Sequence, residues 1–530
     1  MAESYDVVVI GGGHNGLVHA AYLARAGRKV LVLESRPVLG GAAVTEEIVP
    51  GFRFSVFSYV VSLLRPEIIR ELDLVRHGLE ILPLDGTFTP LEGNYLWRVD
   101  DPMRTRREIA RFSALDAEAY EDFGRAMVRI CRFVRPMLGT PAPDPTRISW
   151  GDFEQLLWLV RRWQGIDAGD KFLLAQLGTS SAIDFLDRWF ETDPLKATMS
   201  ASGIIGTFLG VRSPGTAYVL LHHYMGEIDG TFRAWGFSRD GTGGISRSIA
   251  GAAAEAGATI RTEARVARIL TRNGRAEGVA LESGEEIRAK TVSSSLDPRQ
   301  TFIRLLEPRD LPAEFLEEVG RYKFRGSSGK VNLALDALPD FTCLPGVGRH
   351  LRGAISISPS VEYMERAYDD AKYGRFSRQP YIDMVIPTLT DPQLAPPGKH
   401  VMSCFVQYAP YHLAEGDWDS RREAFGDAVI DAISRFAPNI RKIILGRQVL
   451  TPLDIERIVG LSEGNIFQGE LSPEQLFFQR PVGGWARYRT PVSGLYLCGS
   501  AAHPGGGIMG APGRLAALEI LRQAPIKGVS

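Results

Sequence analysis

The stretch Asp6-Val7-Val8-Val9-Ile10-Gly11-Gly12-Gly13-His14-Asn15-Gly16 decides the fold. It opens on a β-branched run without a polar break, the pattern of a parallel strand buried on both faces. The GxGxxG that follows stands in the context the motif requires. Residues 17–26 read as a small-residue helix ending at Gly27, and residues 28–33 as a second strand closed by Glu34, 18 residues after Gly16. Gly11 permits the tight turn, Gly13 lets main chain approach a pyrophosphate, and Gly16 lets the helix lie close to the sheet, leaving its N-terminus for negative charge. A carboxylate at Glu34 accepts hydrogen bonds from adenosine ribose hydroxyls and repels a 2′-phosphate. These features predict an α/β protein with a Rossmann-type dinucleotide-binding domain. NAD and FAD remain open at this point.

The next residues separate the two. Glu34-Ser35-Arg36-Pro37-Val38-Leu39-Gly40-Gly41-Ala42 resembles the ExRxxxGG segment of flavoproteins in the amine oxidase and phytoene desaturase superfamily. The resemblance implies FAD, with Gly40, Gly41 and Ala42 bringing main chain against its diphosphate and ribityl chain and Arg36 approaching the adenosine side. Glycine suits such a place because it admits backbone amides close to a phosphate.

A second glycine-rich stretch lies near the other end. Gly494-Leu495-Tyr496-Leu497-Cys498-Gly499 reads as a strand, followed by the loop Ser500-Ala501-Ala502-His503-Pro504-Gly505-Gly506-Gly507-Ile508-Met509-Gly510 and an apolar helix over residues 514–521. Glycine loses the most freedom on ordering, so such a loop is expected to be held against something. By the same resemblance it returns to the first sheet, with Gly499, Ser500, Gly507, Ile508 and Gly510 along the ribityl chain and the O2/N1 edge of the isoalloxazine. Main-chain donors there would stabilise a developing negative charge. With the segments at residues 213–227 and 387–400, this tail resembles the phytoene desaturase-like FAD-dependent oxidoreductases, in the branch called pyridine nucleotide-disulfide oxidoreductase domain-containing protein. Disulfide chemistry itself is not expected. Cys131, Cys343, Cys404 and Cys498 lie far apart with no CxxC, and Gly241-Thr242-Gly243-Gly244 lacks the spacing of a second GxGxxG, so no separate NAD(P)H domain is predicted.

The 530 residues suffice for several domain equivalents. The 61 Lys and Arg balance 62 Asp and Glu, which gives no electrostatic reason to bind nucleic acid. Residues 103–138 and 153–189 carry apolar positions at helical spacing, interrupted by the prolines of 140–145. Residues 245–256 read as a helix ending at Gly257, 259–261 and 265–269 as strands, 277–288 as a hairpin turning at Ser283-Gly284, and 290–295 as a strand returning to the sheet. By resemblance Val266 gives main-chain hydrogen bonds to adenine. Short alternating runs at 331–335, 354–357, 382–386 and 400–406 suggest a sheet flooring a substrate cavity, closed by a helix over 421–436. The expected organisation is a discontinuous FAD-binding domain, residues 1–102, 235–328 and 481–530, with an inserted α+β substrate domain over 103–234 and 329–480.

His222, His223 and His503 are the candidates for proton transfer, since histidine titrates near neutral pH. Their alternative role is packing and orienting main chain. Trp235, Tyr408, Tyr411 and Trp485 are candidates to line an apolar pocket. The nine histidines show no HxH or HExxH grouping, so no metal is expected. The predicted activity is FAD-dependent dehydrogenation of a hydrophobic small molecule, carotenoid- or isoprenoid-like, with oxygen or a quinone as electron acceptor. The alternatives are a flavin-dependent polyene isomerase or saturase, a flavoprotein whose FAD is structural and whose task is binding, and, as a minor option, an amine oxidase. The apolar residues 54–64 are too short to span a bilayer, so no transmembrane segment and a cytoplasmic location are expected. Peripheral membrane contact and a homo-oligomer are both compatible with the sequence.

Overall fold

The computed structural model describes residues 4–145, 150–228, 230–232 and 234–523. The expected strand–glycine–helix–strand order is present at its start: Ser4–Ile10, then the helix His14–Arg25, then Val30–Leu33. Val7, Val8 and Val9 and all four residues of Val30–Leu33 are buried, as an uninterrupted apolar run requires. Around this pair, the described residues form a seven-stranded sheet. The parallel strands Thr259–Arg261, Val30–Leu33, Ser4–Ile10, Glu286–Ser294 and Leu495–Leu497 are extended by the antiparallel strands Arg275–Leu281 and Val266–Arg272. The helix His14–Arg25 packs on both Gly243–Glu255 and Ala511–Gln523, so segments remote in sequence share one core.

The hairpin and the returning strand read separately from the sequence are one element. Glu286–Ser294 pairs antiparallel with Arg275–Leu281 at its start and parallel with Ser4–Ile10 along its length. Its pattern passes from alternating to fully buried without a turn residue, because only its second half is covered on both faces.

The second sheet runs Ile444–Leu450, Ser328–Leu335, His400–Gln407, Tyr381–Val385, Ala354–Ile357, Thr87–Leu91, Asn94–Arg98. The two strands between Thr87 and Arg98 belong here by their pairing, so the expected first segment, 1–102, carries chain of both sheets. No glycine motif marks that crossing; the strands are short, five residues each, and without a regular alternation. Alternation in this sheet has a clear sense. Val331, Leu333, Cys404, Ile382, Met384 and Ile355 cluster with Phe425, Val429, Ile430 and Ile433 of the helix Trp418–Ser434. The intervening positions Lys330, Phe405, Asp383 and Ser356 stand in register across four strands on the opposite face. The helical insertion begins with Pro102–Ala110 and Ala114–Val134, separated at Ser113, whose side chain caps the second helix by accepting from the Asp116 amide.

The glycines 241–244 serve packing. Gly243 donates its N–H to Thr45 Oγ1 at 2.9 Å, and a Cβ on Gly244 would stand 2.4 Å from the Arg239 carbonyl oxygen. They seat the start of the helix Gly243–Glu255 against the hairpin formed by Thr45–Val49 and Phe52–Ser55.

Candidate functional site: three chambers in series

The first glycine loop opens onto a cavity of about 490 Å³. Gly11, Gly13, Gly16, Glu34, Arg36, Gly40, Gly41, Ala42, Val266 and Ser500 all line it. The glycines of the motif face two kinds of surroundings. A Cβ on Gly16 would meet the Gly11 carbonyl oxygen at 2.2 Å, whereas one on Gly13 would meet nothing within 4 Å and would project into the open space. Gly13 is also the N-cap of the helix His14–Arg25 and contributes no side-chain cap, so the first-turn amides are left for a ligand. Glu34 is anchored at one carboxylate oxygen by the Gly12 amide at 2.8 Å and at the other by the Arg36 amide at 2.9 Å.

Two buried polar atoms of residues on this wall lack a partner, Arg36 Nη1 and Asn15 Oδ1. Arg36 meanwhile holds the Glu46 carboxylate at 2.7 and 2.9 Å, and Asn15 donates to Ser500 Oγ at 3.0 Å. A donor, an acceptor, a helix N-terminus and glycine-lined space are the chemistry a dinucleotide uses, so FAD fits the residues present.

Ala42, Leu461 and Ile466 belong both to this wall and to that of a second, smaller chamber of about 120 Å³. Residues 57–63 form one side of it, Gly507 and Ile508 another. The apolar stretch 54–64 is thus interior: Phe54, Val56, Val61 and Leu64 are buried. Gly499 and Gly510, expected along the same ligand, are not among the residues that line these two chambers. A Cβ on Gly499 would stand 2.3 Å from the Ser295 carbonyl oxygen, and one on Gly510 would press on Ile68. Both positions are thus closed to a side chain by protein atoms.

Lys330 lines this second chamber and was not singled out by sequence. Its Nζ donates to the carbonyl oxygens of Ser55 at 2.9 Å and Phe57 at 3.1 Å and lies 5.4 Å from the Tyr59 ring centroid. Burial lowers it to about 7, so near neutral pH it can hold or release a proton. A lone lysine in the otherwise uncharged strand Ser328–Leu335 was the available signal.

Tyr59, Val60, Ile205 and Trp235 in turn are shared with a third, outer chamber of about 330 Å³. Tyr59 stacks on Phe405 at 5.8 Å, and its hydroxyl donates to Asp383 Oδ2 at 2.5 Å. Burial pushes Asp383 up to about 6.

The three candidate histidines are all buried and all held well below their ordinary value by desolvation, His222 to about 3 and His223 and His503 to about 4. His223 lines the second chamber, stacked on Trp235 at 6.0 Å, with Nδ1 donating to the Val219 carbonyl. His222 Nε2 donates to the Gly506 carbonyl, and His503 Nε2 lies 3.1 and 3.0 Å from the carbonyl oxygens of Met137 and Thr140. Both therefore orient main chain around the glycine loop, outside the chamber walls. Of the four aromatic candidates Trp235 lines a chamber. Tyr408 donates to the Leu209 carbonyl at 2.7 Å, Tyr411 to Glu456, and Trp485 packs on Phe315.

Arg480, also missed from sequence, is fully buried. It donates to the carbonyl oxygens of Ser500, Phe467, Gly469, Glu470 and Gln475 at 2.8–3.5 Å, tying residues 467–475 to the second glycine loop.

Comparison with known proteins agrees with this geometry. The chain is 42% identical over 546 residues to the mouse protein named pyridine nucleotide-disulfide oxidoreductase domain-containing protein 2, covering 98% of this chain and 94% of that one. It is 27% identical over 535 residues to one of the limonene dehydrogenase subunits of Castellaniella defragrans, covering 94% and 91%. An oxidoreductase structure from Methanosarcina mazei shares the fold, with a TM-score of 0.61 at 18% identity over 98% of this chain and 100% of that one. The profile of the family described as flavin containing amine oxidoreductase matches residues 16–521. The chain belongs to that family, within the superfamily that includes the phytoene desaturase-like proteins, and is an FAD-dependent oxidoreductase.

Proposed function

We propose that the protein dehydrogenates a small, largely apolar molecule, drawing it through the outer chamber into the second chamber beside the flavin. The observation that carries this reading is the series of shared walls: Ala42, Leu461 and Ile466 join the nucleotide cavity to the apolar chamber, and Tyr59, Val60, Ile205 and Trp235 join that chamber to the outer one. Bound FAD supplies a two-electron acceptor for hydride. The chain's own residues do the rest. Gly11, Gly13 and Gly16 with Gly40 and Gly41 would hold the diphosphate, Glu34 the ribose, Val266 the adenine, and Gly507 and Ile508 the ring end. Phe57, Leu63, Ile466 and Phe467 exclude water, which favours orientation over solvation of the reacting carbon. Lys330 can take up a proton at the chamber wall.

Chambers of about 330 and 120 Å³ favour a substrate of isoprenoid scale, ~10–15 carbons, over a long polyene, which would have to extend outside. The limonene dehydrogenase relative supports the same size class. Oxygen or a quinone would serve as the final electron acceptor. Anaerobic mixing with cyclic terpenes while flavin absorbance is followed tests the reading. Bleaching with formation of a product two hydrogens lighter is expected; product of unchanged mass would point to isomerisation, and no reaction with any terpene would overturn the proposal. Among the described residues no helix is long and apolar enough to cross a membrane.

A further inference from the structure

The boundary between the second chamber and the outer one falls at a single step of the second sheet. Along the in-register row Lys330, Phe405, Asp383, Ser356, the first two residues line the second chamber and the last two the outer chamber. Neighbouring strands lie about 4.8 Å apart, so the change of chamber takes place within one strand spacing, between Phe405 and Asp383. Tyr59, common to both walls, lies across that step. Its ring stacks on Phe405 on the flavin side, with 5.8 Å between centroids and 15° between planes, and its hydroxyl donates to Asp383 Oδ2 at 2.5 Å on the outer side.

The segment that carries Tyr59 is tied down in both directions. Before it, Lys330 Nζ donates to the carbonyl oxygens of Ser55 and Phe57, and Asn332 Nδ2 donates to that of Val56 at 3.1 Å. After it, Val61 and Gly236 exchange two main-chain hydrogen bonds of 2.9 Å, which brings the shared residues Val60 and Trp235 together at the same boundary. A hydroxyl bonded to a carboxylate makes one of the stronger hydrogen bonds. Swinging the ring aside would break that bond and the stack together. The second chamber, about 120 Å³ against about 330 Å³ for the outer one, holds only one end of an isoprenoid-sized molecule. That end must pass a ring that cannot give way, and such a barrier selects by cross-section. Steric discrimination of this kind is worth roughly 10–200-fold for a single methylene.

We propose that Tyr59 is a specificity-determining residue of the site, a fixed partition that admits a slender end of the substrate to the flavin side and turns away a thicker one, with Asp383 as the positioning residue that holds it in place. The substrate class is then an isoprenoid whose reacting end is acyclic or a single ring, as opposed to a bridged bicycle. This rests on the dehydrogenase reading above and names the shape of the end that reacts.

The FAD-loaded protein is titrated anaerobically with limonene and with α-pinene, isomeric ten-carbon hydrocarbons that carry one ring and a bridged pair of rings. A shift of the oxidised flavin bands reports arrival in the second chamber, and bleaching, followed separately, reports reaction. Wild type is expected to bind limonene about tenfold or more tightly than pinene. Tyr59→Ala is expected to raise the affinity for pinene until the two lie within about twofold. Asp383→Asn, whose amide oxygen still accepts from the Tyr59 hydroxyl, should keep the wild-type ratio, whereas Asp383→Leu, which offers no acceptor, should lower it about threefold or more. Should Asp383→Leu not fold, Tyr59→Phe breaks the same bond from the other side, keeps the ring, and is expected to lower the ratio likewise. Equal wild-type affinities, binding of neither compound, or an unchanged ratio in Tyr59→Ala would overturn the proposal. A ratio unchanged in both Asp383→Leu and Tyr59→Phe, or lowered in Asp383→Asn, would overturn the part given to Asp383. Failure of the dehydrogenase reading would show differently, as flavin bands that shift with limonene and never bleach.

Discussion

The imidazole of His14 hydrogen-bonds through Nε2 to the carbonyl oxygen of Gly507 at 3.2 Å, joining the two glycine loops across 493 positions of sequence. Since a carbonyl can only accept, the ring must be protonated at Nε2, and desolvation holds the neutral form by lowering the histidine to about 4. The neighbouring turns repeat the pattern. Asn15 donates to Ser500 Oγ, and His19 donates from Nδ1 to the Gly513 carbonyl at 3.0 Å while its Nε2 accepts from Ser293 Oγ at 2.9 Å. One face of one helix thus fixes the end of the chain against its beginning.

Acid should therefore loosen the structure in a specific window. His14, His19, His223 and His503 bind protons at about 6.5 when unfolded and only near 4 when folded. Between those values the unfolded chain carries more protons, so stability is fully present above about pH 6.5 and falls as pH drops toward 4. Each such group adds up to ~1.4 kcal/mol per pH unit to the slope. Urea unfolding of wild type and His19→Gln at several pH values should show the shallower slope in the variant; equal slopes would remove His19 from the account.

Two glycines of the same motif should respond oppositely to one methyl group. Gly16→Ala places a Cβ 2.2 Å from the Gly11 carbonyl oxygen and is expected to destabilise the apoprotein by ~1–3 kcal/mol. Gly13→Ala meets no atom within 4 Å, at a φ of −69° that alanine tolerates. It is expected to leave apoprotein melting unchanged and to weaken FAD binding about tenfold or more, because its methyl enters the cavity. Melting of the apoproteins beside flavin titrations separates the two effects.

Those glycines were legible because spacing and context reported geometry directly: strand, turn, helix and acid had to stand in register for the motif to make sense. The second loop was legible as a ligand-facing element, but the division of labour inside it was not, since Gly499 and Gly510 are required by Ser295 and Ile68, contacts between remote segments. Lys330, Asp383 and Tyr59 converge from separate strands and a loop, and no local pattern records that convergence. Thr87–Leu91 and Asn94–Arg98 fall inside the segment 1–102 expected for the FAD-binding domain yet lie in the second sheet, because the strand that draws them there, Ala354–Ile357, is more than 250 residues away and leaves no trace in so short a run.

Lys330 should be visible in the flavin spectrum. With its ammonium lowered to about 7 at the wall of the chamber that Gly507 and Ile508 share, the absorbance of bound flavin is expected to titrate with a midpoint near 7. Lys330→Met should abolish that titration, and also cost ~1–2 kcal/mol of stability by stranding the carbonyls of Ser55 and Phe57. A titration that persists unchanged in the variant would assign it to another group.

Arg480 should prove irreplaceable by lysine. Its planar fork serves five main-chain carbonyls, and a single ammonium cannot reach them together. Both Arg480→Met and Arg480→Lys are expected to lose about 3 kcal/mol or more and to weaken flavin retention, read by urea unfolding and by flavin content after gel filtration. Wild-type behaviour of Arg480→Lys would show that charge alone suffices there.

The most direct test of the whole account is the absorption spectrum of the purified protein, followed by acid precipitation and identification of what is released. Two glycine loops gripping opposite ends of one dinucleotide predict flavin bands, one FAD per chain, freed intact into the acid supernatant. A colourless protein that takes up no FAD on reconstitution would contradict it.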